Sequence, residues 1–147
     1  MDATGDRFNL QRFVEAQAGV WGQVCAELRA GQKRSHWMWF VFPQIRGLGS
    51  SEMAMWFGIS GREEARAYLD HPVLGPRLKE CAAIVVGLEG KSVEDIFGYP
   101  DNLKFHSSMT LFAEVEGPSE RAFHKALTKY FGGQTDKATL ERLASTR

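Results

Sequence analysis

The sequence predicts an all-α protein, a single globular domain of about seven or eight short helices around one core. Apolar residues recur at helical spacing along most of the chain, capping and helix-ending residues separate these stretches, and the alternation typical of strands is nowhere sustained. The 147 residues suit one domain, 1–147, in which 1–7 are expected to form a loose N-terminal tail. A chain of this length buries roughly 68–70% of its unfolded surface, so its core needs no disulfide.

The helical segments of the first half are bounded by small polar residues, glycine or proline. A side-chain oxygen at the start of a helix accepts a hydrogen bond from a free backbone N–H. Glycine takes the left-handed backbone that ends helices, and the residue before proline avoids the α region. The predicted segments are Leu10 to Gln17 after Asn9, Val20 to Leu28 before Gly31, Ser35 to Phe40 before Phe42-Pro43, 52–57 after the loop 47–51, and a helix from the capping box Ser60-Gly61-Arg62-Glu63 to His71-Pro72.

The second half repeats this pattern of stripes and boundaries. Pro76 suits the first turn of a helix, where its missing N–H would have no helical partner. Glu94 and Asp95 suit the start of another, since they meet the positive end of the helix dipole. The predicted segments are Val73 to Leu88 before Gly90, Val93 to Phe97 after Ser92, 102–112 after Asp101, Phe123 to Phe131 before Gly132-Gly133, and a last helix with Leu140 and Leu143 after Asp136.

Composition narrows the class of protein. The chain has 18 basic and 18 acidic residues, which argues against nucleic acid as a partner because dedicated binders carry a basic excess. Cys25 and Cys81 lie in apolar helical patterns without metal-binding spacing, so we expect two buried free thiols, no metal and no cofactor. No targeting segment and no apolar run of ~18 residues is visible, which predicts a cytoplasmic protein without a membrane partner.

Three long motifs run through the chain: Ser35 to Gln44 with Gly47-Leu48-Gly49, Ala67 to Leu78, and Asp101 to Lys104 with Ser107 to Phe112. With these motifs, over roughly Phe8 to Leu143, the chain resembles the bacterial family filed as domain of unknown function 1810. The resemblance implies a mainly helical fold and supplies no established catalytic residues. Some members of that family carry the label calpastatin, but this aromatic-rich, globular sequence does not look like the disordered inhibitor of that name.

The segment Lys33 to Gln44 mixes large rings with polar side chains, as the walls of ligand pockets do. Trp39 suits either the core or a platform that stacks a planar ring. His36 is either a proton-transfer or ligand-anchoring group at neutral pH, or a core histidine bonded to a backbone carbonyl. Gln44 follows a proline-fixed turn. Its amide donates and accepts at once, which suits the edge of a base or a carboxamide, or else it braces the loop.

Arg77 lies at the start of a predicted helix, where the helix dipole disfavours a cation. An anionic partner would offset this cost, either a carboxylate of the protein or the phosphate of a ligand. His71 closes the preceding helix, so the structural interpretation of this residue is a favourable cation at a helix C-terminus.

Lys104, Ser107 and Ser108 have the spacing i, i+3 and i+4, so they share a helix face with Asp101 one turn earlier. One ammonium and two hydroxyls form a candidate anion site, with Asp101 orienting the lysine. Lys104 is alternatively a base for one of the serines, which makes Ser107 and Ser108 candidate catalytic residues beside His36. The structural alternative is a capping aspartate, a surface lysine and two serines bonded back to the helix backbone.

Two classes of function follow. The first is a pocket for a small anionic, nucleotide-like metabolite, with a hydrolase or transferase as its catalytic version, because aromatic surfaces beside cations and hydroxyls fit a planar ring joined to an anion. The second is a non-enzymatic protein–protein interaction module with an exposed aromatic patch, since Trp and Arg dominate binding hot spots. A cleft shared by the aromatic segment and the Asp101 to Phe112 helix would favour the first class. The candidate ligand-binding residues are His36, Trp39, Gln44, Arg77, Asp101, Lys104, Ser107 and Ser108.

Overall fold

The all-α prediction is confirmed. The structure, a computed structural model, describes residues 6–145, and in that range it contains ten helices and no strand. They are α1 (Gln11–Ala18), α2 (Trp21–Ala30), α3 (Met38–Val41), α4 (Glu52–Trp56), α5 (Arg62–Asp70), α6 (Leu74–Gly87), α7 (Val93–Phe97), α8 (Asp101–Ala113), α9 (Ala122–Phe131) and α10 (Lys137–Ser145). The number exceeds the expected seven or eight because α3, α4 and α7 are only four or five residues long.

Helix α8 lies at the centre of one hydrophobic core. It packs against α5, α7, α9 and α10, and its second half is buried from Ser107 to Ala113. The aromatic segment packs onto the same helix, because the ring of Phe42 meets Phe105 edge to face at 5.1 Å and Phe97 at 5.8 Å between centroids. Trp37, Phe40 and Phe42 are buried, so three of the four rings of this segment are core residues, and Trp39 is half-buried.

Two of the predicted helix caps are confirmed in detail. Ser92 accepts from the N–H of Asp95 at 3.0 Å, and the Asp95 carboxylate accepts from the N–H of Ser92, which completes a capping box on α7. Asp136 accepts from the N–H and the hydroxyl of Thr139 at 3.2 and 2.6 Å, so it caps α10.

The start of α1 is capped by a different residue from the one predicted. The Asp6 carboxylate accepts from the N–H groups of Leu10 and Gln11 at 2.6 and 3.1 Å, whereas Asn9 takes a left-handed backbone with φ 55°. Within the predicted tail 1–7, Asp6 is therefore held against α1, and Arg7 pairs with Glu63 at 3.0 Å. The remainder of that predicted tail, 1–5, lies outside the described residues.

A buried ion pair sets the start of α5. The Arg12 guanidinium contacts the Glu64 carboxylate at 2.9 Å and also donates to the carbonyls of Trp56 and Gly58. Glu64 accepts in turn from the N–H and the hydroxyl of Ser60, both at 2.8 Å. The capping interaction predicted for Glu63 is thus made by the next residue, because Glu64 faces the buried arginine.

The loop between α2 and α3 is organised by the carboxylate of Glu27. It accepts from the N–H groups of Arg34 and Ser35, from the Ser35 hydroxyl at 2.6 Å, and from the Trp37 indole at 2.8 Å. Burial raises the pKa of Glu27, but these hydrogen bonds outweigh it and lower the pKa to about 2. Ser35 was expected to cap the helix through Phe40; it binds Glu27 instead, and α3 begins only at Met38.

Cys25 on α2 and Cys81 on α6 are both buried and free, as predicted. Burial raises the pKa of the Cys81 thiol well above its ordinary value, so the thiol stays protonated and unreactive at neutral pH. Across residues 6–145, none of the helices has the length and apolarity needed to cross a bilayer.

Candidate ligand-binding cleft

The aromatic segment and α8 meet at a cleft of about 280 Å³, which we call the Gln44 cleft. Gln44, Lys104 and Ser107 line it together, so three of the candidate residues are brought to one place. The convergence of the two segments is therefore found. The other lining residues come from the loop after Gln44, the start of α8 and the start of α10: Leu48, Gly49, Pro100, Leu103, Asp136 and Ala138.

Gln44 is held at the cleft by its backbone. Its carbonyl accepts from the N–H of Ile59 at 2.9 Å, and Ile45 and Ile59 form an isolated parallel bridge. The side-chain amide has no hydrogen-bond partner anywhere in the part of the chain that the structure describes. A fixed backbone with a free amide suits a group that recognises a ligand better than one that braces a loop.

Trp39 lies next to the Gln44 cleft but does not line it. Its ring and Gln44 line a narrow crevice that shares Gly49 with the Gln44 cleft. The Lys104 ammonium lies 5.2 Å from the centroid of the Trp39 ring, close enough for a cation–π interaction. The indole therefore positions the ammonium of Lys104 and is only half-buried itself.

Asp101 joins the two segments through its carboxylate. One oxygen lies 2.8 Å from the Lys33 ammonium and the other lies 3.3 Å from the Lys104 ammonium. Pro100, not Asp101, occupies the N-cap position of α8, and no side chain caps that position. The prediction that Asp101 caps the helix is thus wrong, while its predicted contact with Lys104 is present.

Ser107 links α8 to α10. Its hydroxyl lies 3.2 Å from the carbonyl of Leu103 and 3.0 Å from the Asp136 carboxylate, and it can donate its one proton to either. The N–H of Asp136 donates to the Thr110 hydroxyl at 2.8 Å, which ties the two helices a second time. Ser107 thus has the geometry of a structural link between α8 and α10.

The other candidate residues lie elsewhere. Ser108 is fully buried in the core, and its hydroxyl has no hydrogen-bond partner within the described chain. His36 is exposed and is not among the residues that line the Gln44 cleft. His36 and Ser108 are therefore not among the candidate residues that the fold brings to the Gln44 cleft.

Arg77 has no carboxylate partner among the described residues. Its guanidinium donates to the side-chain oxygen of Gln17 at 3.1 Å and lies over the ring of Trp21 at 4.8 Å. The dipole cost of a cation at this helix start is thus offset by an amide and an aromatic face. Arg77 does not line the Gln44 cleft.

His71 caps the helix that follows it. Its Nδ1 accepts from the N–H groups of Val73 and Leu74 at 3.1 and 3.2 Å. His71 is also the C-cap residue of α5, so its ring lies between two helices and satisfies two free donors at the start of α6.

Sequence reasoning did not assign Lys33 or Asp136 to this site. The sequence places Lys33 in the aromatic segment and Asp136 at a helix start, but no local pattern predicts their contacts with Asp101 and Ser107, which are distant in the chain. A second cavity of about 480 Å³ lies between α7, α8 and the end of α9; there the His106 ring stacks on Phe131 at 3.9 Å between centroids. Residues 6–145 contain no group of three or more histidine, cysteine, aspartate or glutamate side chains arranged to hold a metal ion.

Comparisons with known proteins agree with this geometry at the level of the fold. The family model described as "Protein of unknown function (DUF1810)" matches residues 7–143. The crystal structure of the conserved hypothetical protein Rv1873 from Mycobacterium tuberculosis is 57% identical in sequence, with a TM-score of 0.93, and the match covers 96% of this chain and 100% of that one. No curated protein matches. Since the family model spans nearly the whole sequence, the chain belongs to the DUF1810 family.

Proposed function

We propose that this protein binds a small anionic, nucleotide-like metabolite in the Gln44 cleft. The observation that carries the proposal is the unpartnered amide of Gln44 in the same cleft as the Lys104 ammonium. An amide that donates and accepts at once complements the edge of a base or a carboxamide. The ammonium complements a phosphate or carboxylate on the same molecule.

Asp136 adds a third kind of polar group to this cleft. Its carboxylate accepts hydrogen bonds from hydroxyls and amides of the protein, and the hydroxyls of a sugar present the same donors. The volume of about 280 Å³ lies just below the range for small-molecule sites, roughly 300–1,000 Å³. The cleft thus suits a ligand of one nucleoside unit, with its phosphate toward Lys104.

Binding is better supported than a hydrolase or transferase reaction. The Ser107 hydroxyl is bonded to acceptors, Ser108 is sealed in the core, and His36 does not line the cleft. A nucleophile needs a base within hydrogen-bond distance to take its proton. We therefore propose a ligand-binding protein, in which Gln44 and Lys104 are the principal contacts.

The alternative function is a protein–protein interaction module, and one observation favours it. Trp56 and Met55 on α4 are exposed, with Met53 beside them, and exposed tryptophan is typical of binding hot spots. Trp37, by contrast, is buried, and Trp39 is half-buried beside Lys104, so the patch is smaller than the sequence suggested. Sedimentation over a range of concentrations, with Trp56→Gln as the comparison, tests self-association through this patch.

The same proposal includes a cytoplasmic location and a small molecule as the partner. Two buried thiols without a disulfide support a reducing compartment, hence the cytoplasm. The balance of 18 basic and 18 acidic residues supports a small molecule over nucleic acid as the partner.

Titration of the ¹⁵N-labelled protein with adenosine 5′-monophosphate (AMP) tests the proposal. We expect the side-chain NH₂ signals of Gln44 to shift. Lys104→Met should weaken AMP binding by about tenfold, since one ion-pair partner is lost. Lys125→Met is the matched control, because Lys125 is exposed on α9 and does not line the cleft. No perturbation of Gln44, Lys104 or Ser107 at millimolar AMP would contradict the proposal.

A further inference from the structure

We infer that Lys33, which does not line the Gln44 cleft, determines the preference of the cleft for anions by neutralising Asp101. This inference rests on the proposed function and concerns the same site. Lys33 is a positioning residue: it acts on the ligand only through the carboxylate that it shares with Lys104. The three side chains are called the Lys33–Asp101–Lys104 triad.

The triad is asymmetric. The Lys33 ammonium lies 2.8 Å from Asp101 and its side chain is 7% exposed, whereas Lys104 lies 3.3 Å from the same carboxylate and is 26% exposed. Asp101 itself is 19% exposed. The shorter contact is thus the more buried one, where solvent screens the attraction least. Asp101 is neutralised mainly by Lys33, and the charge of Lys104 remains directed to the cleft.

Lys33 is fixed in this position from two other sides. Its backbone N–H donates to the carbonyl of Ile96 at 2.7 Å, and its ammonium lies 5.2 Å from the centroid of the Trp37 ring. The Trp37 indole is in turn held by Glu27 at 2.8 Å. A lysine constrained in this way cannot swing toward the cleft, so it contributes charge to the triad without competing for the ligand.

The charge of the triad follows from its composition. Two ammonium groups share one carboxylate, which leaves a net charge of +1 at the end of the cleft where Lys104 lies. Asp136 places a negative charge at the α10 end of the same cleft, where it accepts from Ser107 and Thr139. Without Lys33 the triad would be a neutral Asp101–Lys104 pair, and the whole cleft would become net negative.

The experiment compares the affinities of the protein for AMP and for adenosine, which differ only by the phosphate. The ratio of the two affinities measures the anion preference independently of base recognition. We expect Lys33→Met to lower this ratio by about tenfold and to leave adenosine affinity unchanged. The double variant Lys33→Met/Asp101→Asn leaves Lys104 as the only charge of the triad, so it should restore the ratio to within about twofold of the original protein.

The adenosine affinity separates charge from structure, because structural damage to the cleft by Lys33→Met would weaken the binding of adenosine as well as that of AMP. The double variant then shows that the lost anion preference came from the exposed charge of Asp101 and not from the lost contact of Lys33 with Trp37, which Asp101→Asn does not restore. A Lys33→Met protein that keeps the original ratio overturns the inference while the proposed function stands. If neither AMP nor adenosine binds the unmodified protein, the proposed function fails and this inference fails with it. If Lys33→Met does not fold, the double variant decides: a ratio like that of the original protein supports the inference, and a lost ratio overturns it.

Discussion

The indole N–H of Trp37 donates to a carboxylate oxygen of Glu27 at 2.8 Å, within the buried part of the α2–α3 loop. The same carboxylate accepts from two backbone N–H groups and from the Ser35 hydroxyl. One acidic side chain thus fixes the start of the aromatic segment. On one side of this point in the chain, Lys33 contacts Asp101. On the other side, Gln44 lines the cleft.

Stability should fall as the pH drops below about 5, and Glu27 should cause part of that loss. Its pKa in the folded protein is about 2, below the ordinary value of 4.5. A carboxyl whose folded pKa is depressed contributes stability above the unfolded pKa and loses it as the pH falls through the folded one. The contribution at neutral pH is at most about 3 kcal/mol. Urea unfolding of Glu27→Gln between pH 7 and pH 2 checks this: the difference from the original protein should shrink toward low pH. A difference independent of pH would contradict it.

Ser108→Ala should leave the protein as stable as before or slightly more stable. The Ser108 hydroxyl is buried with no hydrogen-bond partner in the described chain, and burying an unsatisfied hydroxyl costs about 1–3 kcal/mol. Ser107→Ala is the natural comparison, because that hydroxyl bonds to Asp136 and its loss should destabilise by about 1 kcal/mol. Thermal unfolding of the two variants gives the answer, and a Ser108 variant that is clearly the less stable would refute the expectation.

The sequence predicts those parts of the fold that depend on residues close together in the chain. The stripes of α1, α2, α6 and α9 and the caps Ser92 and Asp136 depend on neighbours within a few residues, so they are visible in the chain itself. The cap of α5 is not, because Glu64 is selected over Glu63 by Arg12, a partner from another helix. Ser35 is likewise diverted from a helix start by Glu27.

The sequence predicted only the part of the candidate cleft that depends on local patterns. Mixed polar and apolar residues in two segments predicted that His36 or Gln44 would share a cleft with Lys104, Ser107 or Ser108. The fold brings Gln44, Lys104 and Ser107 together. Lys33 and Asp136 complete the polar surroundings through contacts with residues far along the chain. His36 carried the same local signal as Gln44, yet it is exposed and outside the cleft. Tertiary packing decides which of these two polar side chains faces the cleft. A local sequence pattern does not contain that information.

Gly47→Ala should destabilise the loop that forms one side of the Gln44 cleft. Gly47 has φ +105°, and a Cβ there would lie 2.0 Å from a guanidinium nitrogen of Arg142. We expect a loss of about 1–3 kcal/mol, mainly from backbone strain, because the flexible end of the Arg142 side chain can shift away from the added Cβ. Gly90→Ala is the control, since Gly90 also has positive φ, +70°, with nothing near its added Cβ. If both variants lose the same stability in chemical denaturation, the contact with Arg142 contributes nothing. Arg142→Ala combined with Gly47→Ala should recover the steric part.

The buried pair Arg12–Glu64 and the surface pair Arg7–Glu63 should respond very differently to removal of the arginine. The side chains of the buried pair are 5% and 2% exposed, and those of the surface pair are 72% and 76% exposed. Arg12→Met leaves the Glu64 carboxylate buried without its cation, which typically costs about 3–5 kcal/mol. Arg7→Met removes a solvent-screened contact worth about 0–1 kcal/mol. Adding Glu64→Gln to Arg12→Met should recover part of the loss, because the uncompensated charge is then gone. Equal losses for the two single variants in urea unfolding would show that the Arg12 network does not hold α1, α4 and α5 together.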